Sequence, residues 1–189
     1  MDKKELRRLM LQKRSEITRE ELLKKSSAIV RLLLDSSEYQ QAEQVLLYAD
    51  YNNEVRTYEI YKDARQKGKK VAYPVSSVIN GIPTMEYYYI SAIDELKAGY
   101  KGIMEPDTGL LPEKVENFEG ICIIPGVAFD KDRNRMGYGK GFYDRFLREH
   151  DKLVKVALCM EVQLLEKIEA DEYDVPMDII ITENGLKRE

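Results

Sequence analysis

Cysteine and histidine are nearly absent. Cys122 and Cys159 are the two cysteines in 189 residues, and His150 is the one histidine. Two cysteines make no disulfide framework, and one histidine makes no histidine metal cluster. No apolar run approaches the roughly 18 residues that a membrane span requires. The first residues, Met1-Asp2-Lys3-Lys4-Glu5-Leu6-Arg7, lack the apolar core of a secretory signal. A cytoplasmic location with no membrane partner is therefore expected. Excess positive charge is missing too. The formal balance is −4, whereas a general nucleic-acid binder is more often basic overall. Yet that balance hides a division. Residues 1–25 hold nine Lys/Arg against five Asp/Glu, and residues 131–148 hold six against two. Both segments are locally basic in a chain that is otherwise acidic. They suit a small polyanion, although solvated helix surfaces have the same composition.

What is present fits one globular domain over 1–189. The chain is 43% hydrophobic and 34% charged, which argues against disorder. The length suffices to bury roughly 70% of the surface of the unfolded chain. Leu6, Leu9, Met10 and Ile17 recur at helical spacing. Thr18-Arg19-Glu20-Glu21 is a capping-box pattern, and Leu22, Leu23, Ile29, Val30, Leu33 and Leu34 form the apolar face of a second helix. Val45 to Tyr48 reads as a buried strand, followed by a loop and a helix from Thr57 to about Lys67. Lys70 to Val75 reads as a strand up to Pro74. Asn80-Gly81 is a turn before a strand over 85–90. Residues 91–120 look irregular, with a helical fragment near 93–96. Ile121 to Ile124 has the continuous apolarity of a central strand covered on both faces. A helix over 141–150 buries Phe142, Phe146 and Leu147. Strands at 153–160 and 178–182 flank a helix near Gln163-Leu164-Leu165. Strands separated by helices predict an α/β domain with a largely parallel sheet. Ligands of such folds bind at the C-terminal strand ends, which points to two loops, 49–57 and 125–144.

The second loop is the more informative. Gly137, Gly139 and Gly141 alternate just before a predicted helix. Glycine lets the backbone approach a phosphate and turn its N–H groups toward it, and a helix start adds partial positive charge. Lys140 can hold a phosphate as a point charge and Arg135 in a fork. Asp144 lies one helical turn past Lys140, within reach of a divalent cation on the phosphates. The order matches neither a Walker A loop nor the dinucleotide fingerprint. A plain flexible turn is the competing reading.

The stretch Pro125-Gly126-Val127-Ala128-Phe129-Asp130 through Arg135-Met136-Gly137-Tyr138-Gly139-Lys140-Gly141-Phe142-Tyr143-Asp144 closely resembles the signature of the 5-formyltetrahydrofolate cyclo-ligase family. Lys3 and Arg7 match its N-terminal Lys-x-x-x-Arg pattern, and Asn53, Glu54, Val55 and Thr57 its Asn-Glu-Val-x-Thr segment. The resemblance implies an open, three-layer, Rossmann-like fold. It also implies conversion of 5-formyltetrahydrofolate, with or without a polyglutamate tail, to 5,10-methenyltetrahydrofolate, with ATP and magnesium and release of ADP and phosphate. By position, Lys3, Lys4 and Arg7 would contact ATP together with Asn134, Arg135, Gly137, Tyr138, Gly139, Lys140, Gly141 and Phe142. Lys140 and Arg135 would be catalytic. Tyr138 stands where some members carry a basic residue, and Phe142 where some carry Tyr. Ala49, Glu54 and Tyr143 would meet the folate. Asp144 and Asp178 match the magnesium-associated acids, with Asp174 competing for the second place. In the family's mechanism the formyl oxygen attacks the γ-phosphorus, and N10 closes the ring as phosphate leaves. No protein nucleophile is needed.

Other readings remain open on the residues alone. A non-catalytic nucleotide-binding module would keep the loop. A sugar-phosphate isomerase or CoA-transferase relative would share the broad fold but leave Lys3 and Arg7 unexplained. Glu54 is read as recognising pterin N–H groups, with proton transfer at N10 or capping of the helix at Thr57 as competitors. Lys4 enters only by the resemblance; Arg8, Lys13 and Arg14 are read as solvated surface. Cys122 and Cys159 are read as inert packing, and His150 as a helix-end residue. Tyr87-Tyr88-Tyr89 is read as strand rather than base-stacking platform. A monomer without nucleic-acid partners is expected.

Overall fold

The computed structural model describes residues 2–188. Two amphipathic helices open the chain, α1 (Lys3–Ser15) and α2 (Arg19–Leu34), followed by the short α3 (Ser37–Gln41). Thr18 accepts from the Glu21 amide while the Glu21 carboxylate reaches back, so the expected capping box forms. Then come β1 (Gln44–Leu46), α4 (Tyr58–Gln66), β2 (Lys70–Ile79), β3 (Ile82–Tyr89), and a small hairpin of β4 (Leu96–Ala98) and β5 (Met104–Pro106). The second half contains β6 (Gly120–Ile124), β7 (Ala128–Asp130), β8 (Arg135–Met136), α5 (Phe142–Glu149), β9 (Leu153–Leu158), β10 (Leu164–Leu165), β11 (Ile179–Thr182) and β12 (Gly185–Arg188).

The main sheet runs β12-β11-β9-β6-β1-β2-β3. Its inner neighbours pair in parallel, and each edge is an antiparallel hairpin. The fold is thus the three-layer α/β arrangement with β6 at the centre. Period-2 alternation explains the layers. Ile121 and Ile123 join the side chains of α2 and α4 on one face. Cys122 and Ile124 join Phe146 and Leu147 of α5 on the other. The smaller sheet β10-β7-β8 and Met10 of α1 share a third cluster around Val127, Met136 and Ile168.

The structure adds short elements that the sequence reading lacks, among them α3, the β4–β5 hairpin, β7, β8 and β12, and it changes two of the predicted ones. Strand β2 runs through Pro74 to Ile79. Val71 accepts from the Ile90 amide and Ala72 from the Leu47 amide, so alternation turns the nitrogen of Pro74 toward the β1 side. Pairing with β1 ends at Ala72, and no ladder bond is lost. The helix expected near 163–165 is a single 3₁₀ turn, Glu161–Gln163, followed directly by strand β10. Gln163 Nε2 donates to the carbonyls of Gly126 and Val127 at 2.9 and 3.2 Å, and Leu164 and Leu165 pair with β7. His150 does end α5, its backbone amide donating to the Leu147 carbonyl. Its ring stacks on Phe118 with centroids 3.9 Å apart, and burial lowers its pKa.

Helix α5 carries three candidate site residues at its start, Phe142, Tyr143 and Asp144, so its seating matters. Phe146 is 4% exposed and packs on Tyr87 and Phe118 at centroid distances of 5.0 and 5.3 Å. Phe146→Ala is expected to lower unfolding free energy by about 3–5 kcal/mol, measured by urea titration. A loss under about 1 kcal/mol would show that this ring does not seat the helix.

Candidate active site

A cavity of about 560 Å³ opens where the chain leaves β1 and β6. Three segments distant in sequence form much of its polar lining. Helix α1 contributes Lys3 and Arg7, the β1–α4 loop contributes Ala49, Tyr51, Asn52 and Glu54, and the third is the stretch from Arg135 to Asp144. Pro74, Met85, Tyr100, Ile103, Met104 and Phe142 add apolar surface to the lining, with Ser76, Lys101 and Glu105 among them. Tyr100 meets Phe142 edge-on with centroids 5.7 Å apart. Both basic segments of the sequence therefore reach one cavity.

The glycine loop is shaped by close backbone approach. Gly139 has φ +88° and Gly141, the N-cap of α5, has φ +71°, a region costly for residues with a Cβ. A Cβ on Gly139 would sit 3.3 Å from the Arg7 guanidinium. Arg7 Nε donates to the Gly137 carbonyl at 2.8 Å, which ties α1 to the loop. Lys140 is exposed at the cavity wall, with no ion-pair partner among the described residues. Arg135 is buried and donates through Nη2 to Asp144 Oδ2 at 2.9 Å. Its guanidinium lies 5.4 Å from the Tyr143 ring centroid. Arg135 Nε and Asp144 Oδ1 are buried without a hydrogen-bond partner. An orphan donor and an orphan acceptor in one wall are the free valences that an anion and a cation would satisfy.

Glu54 is 6% exposed. It accepts from the Tyr51 amide through Oε2 at 3.0 Å and from the Tyr138 hydroxyl through Oε1 at 2.9 Å. Burial pushes its pKa up to about 7, and nearby Arg14 opposes that shift. It does not cap α4. Asp50 accepts the Thr57 amide at 3.1 Å instead. Burial beside Cys122 raises the pKa of Tyr143. Burial also raises both thiols, Cys122 to about 12, which keeps them protonated and unreactive.

Several expected site residues lie elsewhere. Asp178 is outside the cavity lining; its Oδ2 accepts the Lys155 amide at 2.7 Å and pairs with Lys155 Nζ at 3.0 Å, which pins β11 to β9. Asp174 lines the cavity instead, together with Asp171, and Lys3 pairs with both at 3.5 and 2.6 Å. Asn134 binds Asp130 through its side-chain and backbone nitrogens at 2.9 and 2.8 Å, inside the β7–β8 turn. Lys4 is exposed and outside the lining. Arg14, read as surface, is 1% exposed and bonded to Tyr138. A sequence signal existed: Arg7, Met10 and Arg14 stand at i, i+3 and i+7, one face of one helix.

Residues 1–183 match the 5-formyltetrahydrofolate cyclo-ligase family. The chain is 28% identical to the mouse 5-formyltetrahydrofolate cyclo-ligase over 97% of its own length and 94% of that protein. The solved structure of Aquifex aeolicus 5,10-methenyltetrahydrofolate synthetase superimposes with a TM-score of 0.84 at 32% identity, covering 100% of this chain and 93% of that one. The Mycoplasma pneumoniae 5,10-methenyltetrahydrofolate synthetase shares the fold with a TM-score of 0.74 at 24% identity, over 97% of this chain and 99% of that one.

Proposed function

The chain belongs to the 5-formyltetrahydrofolate cyclo-ligase family, and from that premise we propose that it cyclises 5-formyltetrahydrofolate to 5,10-methenyltetrahydrofolate with hydrolysis of ATP. The observation that carries this reading is the convergence of Arg7, Glu54, Arg135 and Lys140 on one cavity. The lining suits two substrates. Its cations and left-handed glycines suit a triphosphate. Its apolar residues Met85, Tyr100 and Phe142, together with Glu54, suit a flat folate.

An N5-formyl group is an amide, so its carbon is a poor electrophile and its oxygen a poor leaving group. Attack of the formyl oxygen on the γ-phosphorus breaks the bond to the bridging oxygen, releases ADP and leaves a phosphorylated iminium. N10 of the same folate then bonds to the formyl carbon and gives up its proton to solvent, and the C–O bond breaks as phosphate departs. The protein's work is to bring oxygen and phosphorus together and to stabilise the phosphoryl charge. Lys140 and Arg135 supply positive charge, and Glu54 holds pterin N–H groups as an acceptor. Asp144, with its orphan oxygen, is the residue that fits a magnesium ion, and Asp174 is better placed than Asp178 to assist. Magnesium bound there would neutralise phosphate charge.

The test mixes the protein with ATP, magnesium and 5-formyltetrahydrofolate and follows the methenyl chromophore while each component is omitted in turn. Growth of the chromophore only in the complete mixture is expected. Well-folded protein that forms no chromophore overturns the assignment.

A further inference from the structure

We propose that Arg14 is a positioning residue for Glu54, acting through Tyr138 to hold it as an acceptor for substrate. A fully buried arginine on a helix otherwise rich in solvated charge needs a reason, and its contacts supply one. Nη1 donates to the Gly126 carbonyl at 3.1 Å, and Nη2 donates to the Tyr138 hydroxyl oxygen. Guanidinium nitrogens only donate. Tyr138 must therefore use its single proton toward Glu54 Oε1, at 2.9 Å. Oε2 already accepts the Tyr51 amide, so donors occupy both oxygens and favour the carboxylate form. The Arg14 carbonyl also accepts from Asn53 Nδ2 at 3.2 Å, which fixes the end of α1 to the loop that presents Glu54.

Charge acts in the same direction. Arg14 Nη1 lies 3.9 Å from Glu54 Oε1. The other groups around Glu54 are Tyr138 of the glycine loop, Asp50 of its own loop, Tyr48 after β1 and Tyr143 of α5. Arg14 is the cation of this set. Asp50 and burial oppose ionisation.

This inference rests on the reading that Glu54 binds 5-formyltetrahydrofolate. The test measures KM for 5-formyltetrahydrofolate against pH at saturating ATP and magnesium, by initial rates of ADP release. In the wild type KM should rise as pH falls below about 7. Arg14→Leu should move that acidic limb up by about one to two pH units. Arg14→Lys, which keeps the charge, should restore most of the shift. Tyr138→Phe, at a half-exposed ring, should move the limb in the same direction by a smaller amount. It also provides the test should Arg14→Leu fail to fold. Limbs that coincide with the wild type in the folded variants overturn the positioning role while leaving substrate binding by Glu54 intact. A Glu54→Gln enzyme with wild-type KM and an unchanged limb overturns the reading of Glu54, and this proposal with it.

Discussion

Lys140→Ala should fold normally and turn over about 10²–10³-fold more slowly. Both halves follow from its surroundings. Lys140 is exposed and has no ion-pair partner among the described residues, so its removal leaves no buried group unpaired. The Tm should stay within about 2 °C of the wild type. The cavity keeps Arg7 and Arg135 as cations, and these should retain much of the ATP binding. What is lost is a mobile point charge between two left-handed glycines, free to follow charge as it moves from the γ-phosphoryl group to the leaving oxygen. Single-turnover chromophore formation isolates that step. Wild-type rates with intact ATP affinity would remove Lys140 from the chemistry.

The expectation for Arg14 is different in kind, because helical spacing puts it on one face with Arg7 and Met10 without saying what that face meets. Lys4, Arg8 and Arg14 are all basic residues on α1, and composition treats them alike. The fold separates them: Arg8 and Lys4 are exposed, whereas Arg14 turns under the glycine loop. That loop lies more than a hundred residues away, so only tertiary structure could bring it there. Glycine spacing was more legible, since φ near +88° and +71° at Gly139 and Gly141 is a local demand written into residue type. The central strand was legible for a similar reason, as Ile121 to Ile124 is apolar at every position and has two faces to bury. Short pairings were not. Leu164 and Leu165 suit a helix or a strand equally, and the deciding contacts come from Gln163 to the carbonyls after β6. Asp174 and Asp178 show the same limit. Four residues apart in an irregular segment, they differ only in where the chain turns, and the turn gives one to the cavity and the other to Lys155.

Arg135 should separate stability from catalysis in a way Lys140 cannot. Its ion pair with Asp144 is buried on the arginine side and mostly buried on the other, with side-chain exposures of 4% and 19%. Arg135→Ala strands Asp144 as an uncompensated charge, at a cost of about 3–5 kcal/mol, and should drop turnover at least 10²-fold. That single variant cannot say which loss causes the other. Replacing both partners can. Arg135→Met with Asp144→Leu removes the charges together and fills similar volume, so desolvation is relieved and the stability cost should shrink to near zero. Turnover should remain as low as in Arg135→Ala, because the guanidinium and the carboxylate among the cavity-lining residues are gone. Urea titration and chromophore kinetics on the same preparations measure the two quantities independently. Recovery of activity along with stability would make the pair structural. Recovery of stability alone would mean that these charges are held out of water for the phosphoryl group and its metal, since burial of an ion pair by itself gives the fold little.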